Sequence, residues 1–186
     1  MKGTTLSAPL ISEEYRRLNT ALHTSPDFGA NAKMADKQGR VLSTAISKLK
    51  IKSVLDYGCG KGTVLNKLIE LHPKVRFFGY DPAIEERSPD PPPCEFVYCH
   101  DVLEHVEPEF LTSVLVHLNS KILKLGSLNI STVPAKKTLA DGRNAHLIVK
   151  KPIWWINKLR KIMNIADTHI VENAVEIALL PNPTRR

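Results

Sequence analysis

The run VLDYGCGKG, residues 54–62, opens as an apolar stretch and ends in three glycines at alternate positions. Ser53 to Tyr57 reads as a short strand stopped by Gly58. Helical spacing then returns from Thr63 to Leu71, through Val64, Leu65, Leu68, Ile69 and Leu71, and Pro73 ends it. A strand, a glycine turn and a helix in this order begin a βαβ unit. Glycines let the backbone turn tightly and approach a ligand closely, while helix N-terminal amides stay available to an anion. The spacing is GxGxG, which is not the dinucleotide pattern GxGxxG. Asp56, just before the first glycine, suits a cationic ligand group such as an ammonium better than a phosphate.

Working outward, Val75 to Tyr80 reads as a second strand ending at Asp81, and Glu95 to Cys99 as a third. A helix is expected over Glu109–Leu125, with Gly126 as its C-cap signal. A strand over Ser127–Val133 follows, then a polar loop over 134–147. Residues 152–163 read as a short amphipathic helix whose tryptophans pack on the sheet. Thr168–Glu172 and Val175–Leu180 read as a closing hairpin. Upstream, apolar spacing predicts helices over 11–22 and 32–48, after a loose start over residues 1–10. Alternating strands and helices imply an α/β, Rossmann-like, doubly wound sheet. It is mostly parallel, with an antiparallel C-terminal hairpin. Two parts are expected, an N-terminal helical extension and possible lid over 1–31 and a main domain over 32–186. Ligands of such sheets bind at the carboxyl ends of the strands.

The chain has 186 residues, 42% hydrophobic and 24% charged, which excludes a disordered chain. No apolar run is long enough to span a membrane, and the N-terminus does not read as a secretory signal. Cys59, Cys94 and Cys99 are odd in number, so a reduced, cytoplasmic protein is expected. No metal is expected, because Cys94, Cys99 and His100 match no zinc spacing. The net charge of +7 permits a polyanionic partner without demanding one.

Four more groups carry chemistry. Asp81 stands 19 residues after Gly62, near the distance at which nucleotide folds place a ribose-binding acid. HDVLEHVEPE, residues 100–109, puts Asp101, Glu104 and His105 just past the third strand. A histidine there titrates near working pH and is a candidate base. The alternative is that Glu104 and His105 brace the loop. In the long loop, Lys136, Lys137, Arg143 and Asn144 are candidates for holding an acceptor, with His146 a second candidate base.

Three stretches together resemble the class I S-adenosylmethionine-dependent methyltransferases. They are VLDYGCGKG (54–62), FFGYDPA (77–83) and FVYCHDVLEHVEP (96–108), and the resemblance covers roughly residues 32–180. The long loop is also similar to that of short methyltransferase-like proteins of phage and bacterial genomes. The resemblance implies S-adenosylmethionine as cofactor. Gly58, Gly60 and Gly62 would wrap its methionine part, and Asp56 would support the loop or the ammonium. Asp81 would hold the ribose hydroxyls. His100, Asp101 and Val102 would lie near the sulfonium and adenine. The family usually places a helix, a strand and an adenine-contacting acid before the fourth strand. Here only residues 82–94 are available, and five prolines disfavour a helix. A sheet reduced to six strands is therefore expected. The expected reaction is methylation of an O or N of a small acceptor, anionic or sugar-like. The rivals are a nucleic-acid (RNA) methyltransferase, although no DPPY-type tetrad is present, and a non-catalytic cofactor-binding partner subunit.

Overall fold

The computed structural model describes residues 9–24 and 32–183. Most of the expected loose start, the join between the first two helices and residues 184–186 lie outside the described residues. The elements run α1 (Glu13–Thr24), α2 (Ala32–Lys48), β1 (Ser53–Tyr57), α3 (Thr63–Leu71), β2 (Arg76–Tyr80), β3 (Cys94–His100), α4 (Leu111–Ser120), β4 (Ile122–Ser131), α5 (Pro152–Leu159), β5 (Asn164–Val171) and β6 (Ala174–Leu180). They form one six-stranded sheet in the order β2-β1-β3-β4-β6-β5. β2, β1, β3 and β4 pair in parallel, while β6 pairs antiparallel with both β4 and β5. The chain leaves β1 in one direction and returns to its other side at β3, so the strand order reverses between them. In such sheets that crevice is where ligands bind.

The central strands are buried on both faces, and their alternation splits the core in two. Leu55, Tyr57, Val97 and Cys99 face α4 and α5, packing with Leu115, Leu118, Trp155 and Leu159. Val54, Phe96 and Tyr98 face the other way, toward Leu42 and Ile46 of α2 and Leu68 of α3. Each fully buried Leu or Ile contributes roughly 1.5–3 kcal/mol. A third, smaller cluster joins Tyr15 of α1 to Leu139 and Ala145 of the long loop.

Between β2 and β3 the chain forms only a 3-10 turn, Glu85–Arg87, and no strand. The reduced sheet is thus observed. The proline-rich segment is held from both ends. Arg87 reaches the glycine turn, and Asp90 accepts from Lys121 Nζ at 2.5 Å and pairs with His117 at 2.7 Å. His117 in turn meets the Tyr57 hydroxyl at 2.8 Å.

One expectation needs correction. The helix placed over Glu109–Leu125 ends at Ser120, and Ile122 already begins β4. An apolar run such as Ile122–Leu125 fits either period, and tertiary pairing decides it. Ile122 pairs with Cys94, and the buried Lys121 is fixed by Asp90. Gly126 is therefore no helix cap. It sits inside β4, where a Cβ would come within 3.0 Å of the Leu179 Cβ of β6. No helix among the described residues is long and apolar enough to cross a membrane.

Candidate functional site

A cavity of about 370 Å³ opens at the carboxyl ends of the central strands. That size falls within the ~300–1,000 Å³ typical of small-molecule sites. Its floor is the turn after β1. Gly58 takes φ +83° and Gly62 φ +74°, backbone states that L side chains rarely adopt. A Cβ on Gly58 would also strike the Val102 side chain at 2.4 Å, so the two sides of the crevice touch here. The turn is fixed from outside. Gly58 and Cys59 donate their N–H groups to the Tyr80 carbonyl, at 2.7 and 3.0 Å. Arg87 donates from Nη1 to the Gly60 carbonyl at 2.6 Å and from Nη2 to that of Lys61 at 3.3 Å.

Two carboxylates face this floor. Asp81, directly after β2, accepts from the Gly60 N–H at 3.0 Å and from the Ala83 N–H at 2.9 Å. Each oxygen keeps a further lone pair for a ligand hydroxyl. Asp56 is buried in the cavity wall. Burial lifts its carboxyl to about 7; Asp81 adds to the lift, while the Tyr98 hydroxyl and Arg87 oppose it. A group that is neutral or charged by a small margin responds strongly to a cation brought beside it.

The opposite wall follows β3. His100 bonds through Nε2 to the Ser127 hydroxyl at 3.0 Å, and burial lowers it to about 4. Asp101 adopts φ +55° and stands exposed at the rim, its N–H donating to the Asn129 carbonyl at 2.9 Å. The 3-10 turn Leu103–His105 then carries His105 to the cavity. His105 donates from Nδ1 to the Ala145 carbonyl at 2.8 Å, and burial lowers it to about 4. Its ring meets His146 edge to face, with centroids 4.7 Å apart. Glu104 is fully buried and accepts from the Ser131 N–H at 2.8 Å, and burial lifts its carboxyl to about 8.

The roof is α1 and the residues before it. Leu10, Ile11, Tyr15, Asn19 and His23 all line the cavity. Ser12 caps α1, its hydroxyl accepting from the Tyr15 N–H at 3.0 Å. The same hydroxyl donates to Glu107 at 2.6 Å, and the Ser12 N–H donates to that carboxylate at 2.8 Å. Tyr15 donates to the His105 carbonyl at 2.6 Å. On the far side Arg16 donates to the Pro82 carbonyl, and Thr20 to that of Ala83 at 2.7 Å. The helix therefore bridges the cavity from the end of β2 to the segment after β3.

A family model described as a methyltransferase domain matches residues 27–173. The chain belongs to this family. Among curated proteins none matches it in sequence. Solved methyltransferases share its fold. An O-methyltransferase family protein from Burkholderia thailandensis superposes with a TM-score of 0.59 at 15% identity, over 84% of this chain and 58% of that one. The chain thus spans little more than half of that protein. The 1,6-didemethyltoxoflavin-N1-methyltransferase of the same organism, with 1,6-didemethyltoxoflavin and S-adenosylhomocysteine bound, gives 0.67 at 14% identity over 98% of both chains. The magnesium protoporphyrin IX methyltransferase of Synechocystis, with S-adenosylmethionine bound, gives 0.52 at 17% identity, over 82% of this chain and 80% of that one.

The methyltransferase domain brings Asp56, Gly58, Gly60, Asp81, His100, Asp101, Val102 and His105 to one cavity. Gly62 stands at the start of α3 against the Arg87 guanidinium. His146 stands behind His105. The loop residues expected to hold an acceptor do not line the cavity. Asn144 staples its own loop, accepting from the Ala135 and His146 N–H groups and donating to the Ala135 carbonyl, all at 2.9 Å. Arg143 pairs with Asp141 at 2.6 Å, and Lys136 is exposed in the loop, as Lys137 partly is. Glu104 and His105 both bond to backbone of other segments, Glu104 to the Ser131 N–H and His105 to the Ala145 carbonyl. Sequence reading passes over Arg87, Tyr15 and Glu107. An arginine in a proline-rich loop and an acid after a histidine carry no motif of their own.

Proposed function

We propose that this protein binds S-adenosylmethionine in the cavity and transfers its methyl group to an oxygen or nitrogen of a small molecule. The observation that carries the reading is the convergence of two strand-end carboxylates, Asp56 and Asp81, on a left-handed glycine turn beside a cavity of cofactor size. The residues that line the cavity fit that cofactor: Asp56 would hold its ammonium, Asp81 its ribose hydroxyls, and Val102, Pro82 and Ala83 would flank the adenine. When bound, the cofactor supplies a methyl on a sulfonium, whose C–S electron pair stays with sulfur as the acceptor atom forms the new bond. The protein's part is alignment and exclusion of water. Helix α1 and the residues just before it act as the lid on the domain that follows, and close the roof. The acceptor enters beside His105, and its proton is drawn off at the His105–His146 edge. Small-molecule methyltransferases among the structural neighbours support an acceptor of this class.

Calorimetric titration with S-adenosylhomocysteine tests the reading on the wild type and on Asp81→Asn. The wild type should bind. The variant keeps the shape but loses the charge-assisted bonds, each worth ~1.5–3 kcal/mol, so affinity should fall about tenfold or more. Absence of binding by the wild type at millimolar ligand would sink the proposal.

A further inference from the structure

Glu104, His105 and His146 come together beside the wall of the cavity. One ligand-bearing atom of each lies within 4.8 Å of those of the other two. The two imidazoles are held as ligands are held. Each donates from Nδ1 to a backbone carbonyl, His105 to Ala145 at 2.8 Å and His146 to Val133 at 2.6 Å. A carbonyl only accepts, so the lone pair of each neutral ring is on Nε2. Metal-ligating histidines are oriented in this way, by an acceptor on the second nitrogen.

Glu104 supplies the independent observation. Its Oε1 accepts from the Ser131 N–H, but Oε2 is fully buried and has no hydrogen-bond partner. Native proteins rarely leave such an atom unpaired. The Asp101 carboxyl stands close enough to act electrostatically on both Glu104 and His146.

We propose that Glu104 Oε2 and the Nε2 atoms of His105 and His146 bind a divalent first-row transition cation. Two imidazoles and one carboxylate suit zinc, iron or cobalt better than magnesium or calcium, which prefer oxygen sets. Three protein ligands leave coordination positions open. Of the three, His105 lines the cavity, so the cation would meet an acceptor on the His105 side. The inference rests on the methyl-transfer reading and sharpens it: the acceptor group is a hydroxyl. The cation would lower the pKa of a hydroxyl brought to it, and the proton would leave to solvent; the two imidazoles, with their Nε2 lone pairs on the cation, hold it and do not take the proton themselves.

The test takes the full chain, stripped with a chelator and titrated with Co²⁺. Uptake of one equivalent per chain is expected, with the visible absorption bands of a nitrogen–oxygen site. Affinity should fall about a hundredfold or more in Glu104→Gln and in His146→Ala. Titration of the same samples with S-adenosylhomocysteine reports whether each variant is folded. If Glu104→Gln does not fold, the half-buried His146 carries the test. Unchanged uptake in a folded variant would overturn the proposal, as would no stoichiometric uptake by a wild type that binds S-adenosylhomocysteine. A wild type that takes up Co²⁺ at this site but not S-adenosylhomocysteine would keep the cation site and sink the methyl-transfer reading instead.

Discussion

At the scale of single residues, Asp56 is the most informative group in the cavity. Its carboxyl titrates near 7 because burial and Asp81 disfavour its charge more than Tyr98 and Arg87 favour it. A ligand ammonium placed beside it stabilises the charged form, so binding drives off a proton below that pH. The affinity for S-adenosylhomocysteine should therefore rise about tenfold between pH 6 and pH 8. Titrations across that range would show it, and Asp56→Asn should bind with a nearly flat profile. A slope that persists in the variant would place the ammonium elsewhere. Gly58 shows the same tightness from the steric side. Its backbone state and the nearness of Val102 leave no room for a side chain.

At the scale of elements, α1 is a strap, and its hold rests on few bonds. Ser12 serves twice, as N-cap of the helix and as donor to Glu107. Ser12→Ala removes the cap and leaves the Glu107 carboxylate short of a donor. A loss of about 1–2 kcal/mol in the stability of the docked helix is expected. Amide exchange over α1 should accelerate, while exchange in β1 and β3 stays as in the wild type. Since α1 lines the cavity, S-adenosylhomocysteine should also dissociate faster. Unaltered exchange over α1 would mean that Tyr15, Arg16 and Thr20 suffice to dock it. On the other flank, the segment between β2 and β3 does the work of a missing strand and helix. It does so with point contacts, Arg87 to the glycine turn and Asp90 to Lys121 and His117.

At the scale of the whole molecule, the site draws on every layer. The glycine turn belongs to the sheet, Arg87 to the shortened connection, and the roof to α1. Ligand binding should therefore stabilise the molecule as one unit. At a hundredfold excess over Kd, S-adenosylhomocysteine adds about 2.7 kcal/mol. For a chain of this size that raises Tm by roughly 5–10 °C. Scanning calorimetry should show a single transition moving upward. Two transitions, with only one shifted, would mean that the roof and the sheet melt apart.

The sequence by itself determined the βαβ order, the glycine turn, Asp81 at the end of β2 and the loss of a strand between β2 and β3. These are local properties. Apolar periodicity, a run of prolines and the distance between two motifs can be counted along the chain. It misjudged the end of α4, because Ile122–Leu125 suits either period until β4 has neighbours to pair with. Only the tertiary structure showed that Asn144 and Arg143 shape their own loop rather than face the cavity. Only it joined His146 to Glu104 and His105, which stand some forty residues away along the chain. Their meeting depends on the path of the long loop over the sheet. That path is set by the packing of Leu139 and Ala145 against Tyr15 and by the carbonyls that orient the two rings. Contacts of this kind are long-range and leave no local pattern, so they can be read only after the chain has folded.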